Sequence, residues 1–175
     1  MVKEAQSVYP KDIDEFDSNK YLLNLKNGTL DMENCRPLYP HSSNDLITML
    51  ANVEFDRSAT LPRFDEFMNQ IFEGNQEVIK FVQKILGYSL TGDTRYECLF
   101  VLYGASTRNG KGTLIESVVN VLGDYAKAMN YDTLAAKTYS NPSGPKEDLA
   151  RLKGTRFVSV AEPRLGLTLD VAKIK

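Results

Sequence analysis

Apolar and polar positions change rhythm three times along the chain, and each change predicts a different kind of element. Residues 21–25 form a short apolar run that reads as a strand, and residues 30–32 pair back to it across Lys26-Asn27-Gly28-Thr29, where Asn-Gly is a hairpin signal. Residues 36–40 continue in extended form. From residue 61 the apolar spacing lengthens to a helical period. Pro62 lies near the first helical position, and Phe64, Phe67, Met68, Ile71 and Phe72 share one face, with Thr60 as the expected cap and Gly74 as the stop. Val78, Ile79, Val82, Ile85 and Leu86 predict a second helix that stops at Gly87. These stripes predict a helical hairpin with a packed core. The third change is sharpest: residues 98–103 (CLFVLY) read as a buried strand ending at Gly104, and residues 114–122 read as an amphipathic helix closed by Gly123.

Beyond that helix the pattern weakens. Residues 132–137 predict one or two capped helical turns, residues 138–146 an exposed loop rich in Asn, Ser, Gly and Pro, and residues 147–152 a short helix closed by Gly154. Residues 156–162 read as a strand that delivers Glu162 at its C-terminal end.

Between the third strand and its helix lies the segment with the most chemistry, Gly104-Ala105-Ser106-Thr107-Arg108-Asn109-Gly110-Lys111-Gly112-Thr113. A phosphate-binding loop of the form GxxxxGK[ST] needs glycines for backbone freedom, a lysine for the terminal phosphates and a hydroxyl for magnesium. Successive N–H groups in such a turn and at the following helix start make a concave donor site for phosphate oxygens. This chain departs twice: five residues separate Gly104 from Gly110, and Gly112 stands where the hydroxyl belongs. Thr113 would substitute if the helix start shifts by one residue; otherwise water completes the metal shell. The plainer alternative is a surface turn with Lys111 and Arg108 merely solvated. Glu162, at the open edge of a sheet, would orient water or stand near magnesium; its plainer alternative is a surface glutamate.

Composition narrows the class without choosing a function. The 175 residues are 42% hydrophobic and 25% charged, with a formal net charge of −2, a globular balance with no global attraction to nucleic acid. The two cysteines, Cys35 and Cys98, do not make a disulfide framework; Cys98 is expected to be a buried thiol. One histidine, His41, argues against a zinc cluster. No apolar run approaches membrane-spanning length and the N-terminus lacks a signal-peptide core, so cytoplasmic residence is expected. Basic residues are scattered and offset by acids, so direct DNA binding is expected to be weak or absent.

These motifs, in order, resemble the phage and plasmid primase-helicase family with a poxvirus-like, superfamily III helicase ATPase domain. The resemblance is carried by Asn27-Gly28-Thr29-Leu30-Asp31, by residues 86–93 (LGYSLTGD), by Tyr103-Gly104 with Thr107-Arg108-Asn109-Gly110-Lys111, and by residues 148–158 with Glu162-Pro163. It implies an α/β fold: a polar arm or connector over 1–20, a β-hairpin and helical module over 21–94, and the N-terminal part of a P-loop ATPase domain over 95–175. It also implies ATP and magnesium as ligands. Lys111 would grip the phosphates, Gly104, Asn109, Gly110, Gly112 and Thr113 would shape the site, and Thr113 and Glu162 would serve the metal, with Glu162 the acid of the second nucleotide motif. The intact family member would form a hexameric ring on DNA. This chain is expected to be a truncated form, ending before the sensor and arginine-finger elements and without independent unwinding. The alternative is a nucleotide-independent module that binds a replication protein, or an inactive remnant.

Overall fold

The computed structural model describes residues 10–104, 108–136, 147–160, 168 and 170. The hairpin forms as expected. β1 (Leu22–Leu25) pairs antiparallel with β2 (Gly28–Asp31), Leu25 opposite Gly28 and Leu22 opposite Asp31. Lys26 and Asn27 alone make the turn, so β2 starts two residues before the apolar pattern suggests. Tyr39 joins its outer side, exchanging backbone hydrogen bonds with Thr29 at 2.8 and 3.1 Å, so the extended stretch over 36–40 lies along β2.

The helical pair also forms. α1 (Pro62–Ile71) begins with Pro62 at its start, but the capping position is Leu61 with no side-chain hydrogen bond, rather than Thr60. Proline has no N–H to satisfy and its φ suits the first turn, so the helix begins without a polar cap. α2 (Gln76–Tyr88) is capped by Asn75, whose side chain accepts from the Val78 N–H at 3.2 Å. It runs through Gly87 because that glycine keeps helical geometry, and it ends where the Ser89 N–H and hydroxyl both donate to the Ile85 carbonyl.

α3 (Lys111–Leu122) starts three residues earlier than its apolar stripe and gives way at Gly123 to a single 3-10 turn, Gly123–Tyr125. The chain then enters β3 (Ala126–Met129), which pairs in parallel with β4 (Phe157–Val160), Ala126 opposite Phe157 and Met129 opposite Val160. β3 was not expected, because Ala126-Lys127-Ala128-Met129 has little strand propensity; its pairing with β4 overrides that preference. Short helices α4 (Tyr131–Leu134) and α5 (Glu147–Ala150) complete the described elements. The result is a mixed α/β structure with two small sheets and interposed helices.

Two apolar clusters hold these pieces. Met68, Ile79, Val82 and Leu114 form one, flanked by Phe64, Phe67, Ile71, Phe72 and Leu86. Leu23, Leu25, Ala51, Leu122, Tyr125 and Ala126 form the other. α3 contributes to both, Leu114 near its start and Leu122 at its end, so the helix that follows the glycine-rich loop is anchored at both ends.

The expected strand over 98–103 is not present. These residues belong to neither sheet and are exposed, Val101 by 79% and Tyr103 by 88%. The Cys98 thiol is likewise exposed rather than buried. An apolar run becomes a strand only when another backbone takes up its hydrogen bonds, and no described backbone does so here. Within the run Phe100 packs edge-on to Phe81 on α2, with ring centroids 6.3 Å apart. Glu162 and the loop over 138–146 lie outside the described residues.

Candidate phosphate-binding site

The described parts of the glycine-rich segment come together at the N-terminus of α3. Gly110 is the capping residue, with φ of 80°, in the left-handed region that favours glycine. It is also closely approached from α1: a Cβ there would lie 2.5 Å from Ile71 Cγ2 and 3.2 Å from the Phe67 ring. Glycine at 110 therefore satisfies a turn and a helix contact together.

Gly104 answers to a different constraint. A Cβ on it would collide with the Asn109 amide and sit 3.2 Å from Lys111 Nζ. The Lys111 ammonium in turn donates to Asn109 Oδ1 at 2.5 Å and is partly buried. Gly104, Asn109 and Lys111 thus share one small space, the loop folding back on the start of α3. Asn109 neutralises none of the lysine's charge; it holds the ammonium by a neutral carbonyl that an anion outcompetes.

The helix start adds donors. The first α-helical hydrogen bond runs from the Leu114 N–H to the Gly110 carbonyl at 3.0 Å, so the N–H groups of Lys111, Gly112 and Thr113 precede it, and the capping residue, Gly110, has no side chain to bond them. Their partial positive charge and the Lys111 ammonium point to the same anion. A triphosphate fits this donor set. The metal side is thinner: Gly112 has no hydroxyl, and a Cβ at that position would meet nothing within 4 Å. Thr113, two residues beyond Lys111, carries a hydroxyl and is exposed, while its carbonyl accepts from Ser117 Oγ at 2.8 Å. Glu162 lies outside the described residues.

Beside the loop, α1 and α3 enclose an open cleft of about 560 Å³ that Thr113 and Phe67 help to line. The loop and the cleft therefore share a wall.

Arg156, at the start of the strand expected over 156–162, has a specific place in the structure. Its guanidinium donates to the carbonyls of Leu22 and Leu90, both at 2.6 Å, and lies 4.5 Å from the centre of the Tyr125 ring. The Arg156 N–H donates to the Tyr125 carbonyl at 2.8 Å. Burial pushes its pKa down and the Tyr125 phenol's up. One side chain thus ties β1, the end of the helical pair and the start of β4. No local signal marks it, because the acceptors are backbone atoms 66 and 134 residues away.

Comparison with known proteins bears on the whole chain. Residues 1–73 match the family model described as D5 N terminal like. All of the chain aligns at 29% identity with a protein of Acanthamoeba polyphaga mimivirus described as "Putative helicase". The chain spans 18% of that protein's length. Both findings support the resemblance to the viral and phage primase-helicase family.

Proposed function

We propose that this chain binds the phosphates of ATP at residues 104–113 and forms part of the nucleotide-driven machinery of a primase-helicase-type replication protein. The observation that carries this reading is the convergence of Gly104, Asn109 and the Lys111 ammonium at the start of α3, where the capping residue is a glycine. In this reading the loop is a variant P-loop and the region around it a P-loop ATPase fold. Lys111 leaves Asn109 for the terminal phosphates, and the N–H groups of residues 111–113 donate to the remaining phosphate oxygens. Thr113 and Glu162 are the proposed magnesium residues, with water filling the position that Gly112 leaves without a hydroxyl. Strand separation on DNA by an oligomeric ring is proposed of the longer architecture, since the aligned relative is described as a helicase and is several times longer.

Calorimetric titration with ATP and magnesium tests the reading. Saturable binding that Lys111→Ala abolishes is expected; equal affinity in the two proteins would sink it. The exposed run over 99–103 favours a second reading, a protein-binding face that works without nucleotide. That reading predicts partner capture unaffected by Lys111→Ala and lost when Val101 and Tyr103 become serine.

A further inference from the structure

We infer that the cleft between α1 and α3 receives the base and sugar of the nucleotide whose phosphates lie at Lys111. The inference rests on the phosphate-binding reading above and adds to it the site for the uncharged half of the ligand.

Position is the first argument. Thr113 and Ser117 stand one turn apart on α3 and line the cleft, and Thr113 is only two residues beyond Lys111, about 3 Å along the helix axis. Phe67, on the opposite wall, is the same ring that approaches Gly110. A ligand extended away from the ammonium along this side of α3 enters the cleft directly. Its volume of about 560 Å³ lies within the range of small-molecule sites.

Charge is the second argument. The charged side chains in the lining are Arg63 and Glu66, and they pair with each other at 3.2 Å. The cleft is therefore close to neutral, while the ammonium stands at the loop. Such a division suits a ligand with one uncharged end and one strongly anionic end.

Surface chemistry is the third. Phe64 and Phe67, with centroids 6.3 Å apart and planes inclined by 38°, are both half-buried and offer an aromatic wall for a base. Around it stand the Gln70 amide and the Thr60 hydroxyl, each able to donate and accept to a base edge. Gln70 is only weakly engaged, its amide 3.4 Å from Glu66 Oε1.

The test compares ATP with inorganic tripolyphosphate, which has the anionic end alone. Both are titrated by calorimetry into the native protein and into Gln70→Trp, Phe64→Ala and Lys111→Ala, with circular dichroism to check folding. Gln70→Trp plugs the cleft from an exposed helical position, so it remains informative if Phe64→Ala disturbs the core. The expected result is that each cleft variant weakens ATP about tenfold, the scale of one lost base–aromatic contact, and leaves tripolyphosphate unchanged, while Lys111→Ala loses both. If Lys111→Ala loses both ligands but the folded Gln70→Trp protein binds ATP as the native protein does, the cleft inference is overturned and the phosphate reading stands. If neither ligand binds the native protein, or Lys111→Ala affects neither, the phosphate reading fails and takes this inference with it.

Discussion

Tyr125 and Tyr103 occupy opposite extremes of the same molecule. Tyr125 is 1% exposed, donates to the Met49 carbonyl at 3.3 Å, accepts from the Asn24 N–H at 3.1 Å, and lies under the Arg156 guanidinium. Tyr103 ends an apolar run that no described backbone pairs with. Composition does not separate these regions, for both are rich in aliphatic and aromatic residues. What differs is whether donors and acceptors arrive from elsewhere in the chain. Around Tyr125 they come from Asn24 of the hairpin, from Met49 and from Arg156 just before β4; around 98–103 none comes from the described residues, and the apolar side chains remain exposed.

The contrast is broken most directly at Arg156. Arg156→Ala leaves the Leu22 and Leu90 carbonyls without their donor and is expected to cost about 3 kcal/mol, read as a lower midpoint in urea denaturation. A loss too small to shift the midpoint would mean that the corner is not held by this side chain. Tyr125→Phe, which removes only the hydroxyl, should cost about 1 kcal/mol by the same measurement. Because burial raises the Tyr125 pKa above its ordinary 10.0, its stabilising contribution is complete below pH 10 and is lost as pH climbs through the higher folded value. Tyr125→Phe should remove that part of the alkaline decline, and an identical decline in the two proteins would contradict the assignment.

Smaller effects sharpen the other side. At Gly112, where added atoms meet open space, Gly112→Ser is expected to raise stability by about 0.5 kcal/mol. It should also strengthen the magnesium dependence of ATP binding by restoring the missing hydroxyl; unchanged magnesium dependence would argue against a metal at this place. Val101→Thr is expected to change stability by less than about 0.5 kcal/mol, because the side chain is already in water. A marked destabilisation would show that the run over 98–103 is packed in solution.

Local periodicity carried most of the fold that was legible in the sequence. The hairpin followed from Asn27-Gly28 between apolar runs, and α1, α2 and α3 followed from stripes of helical period. Missed features depend on partners distant in sequence. β3 exists because β4 pairs with it, the run over 98–103 pairs with none of the described residues although it has the residues of a strand, and Arg156 is fixed by remote carbonyls. At the candidate site, the glycines and Lys111 were legible because their spacing is local, as was the doubt about Gly112. The role of α1 was not, since the approach of Phe67 and Ile71 to Gly110 is a tertiary contact.

The central claim is that the start of α3 is a phosphate site, and hydrogen exchange tests it residue by residue. Adding ATP and magnesium should slow exchange of the Lys111, Gly112 and Thr113 amides, with no such slowing in Lys111→Ala. Exchange at these three amides that ignores ATP, or slows equally in the variant, would contradict the account.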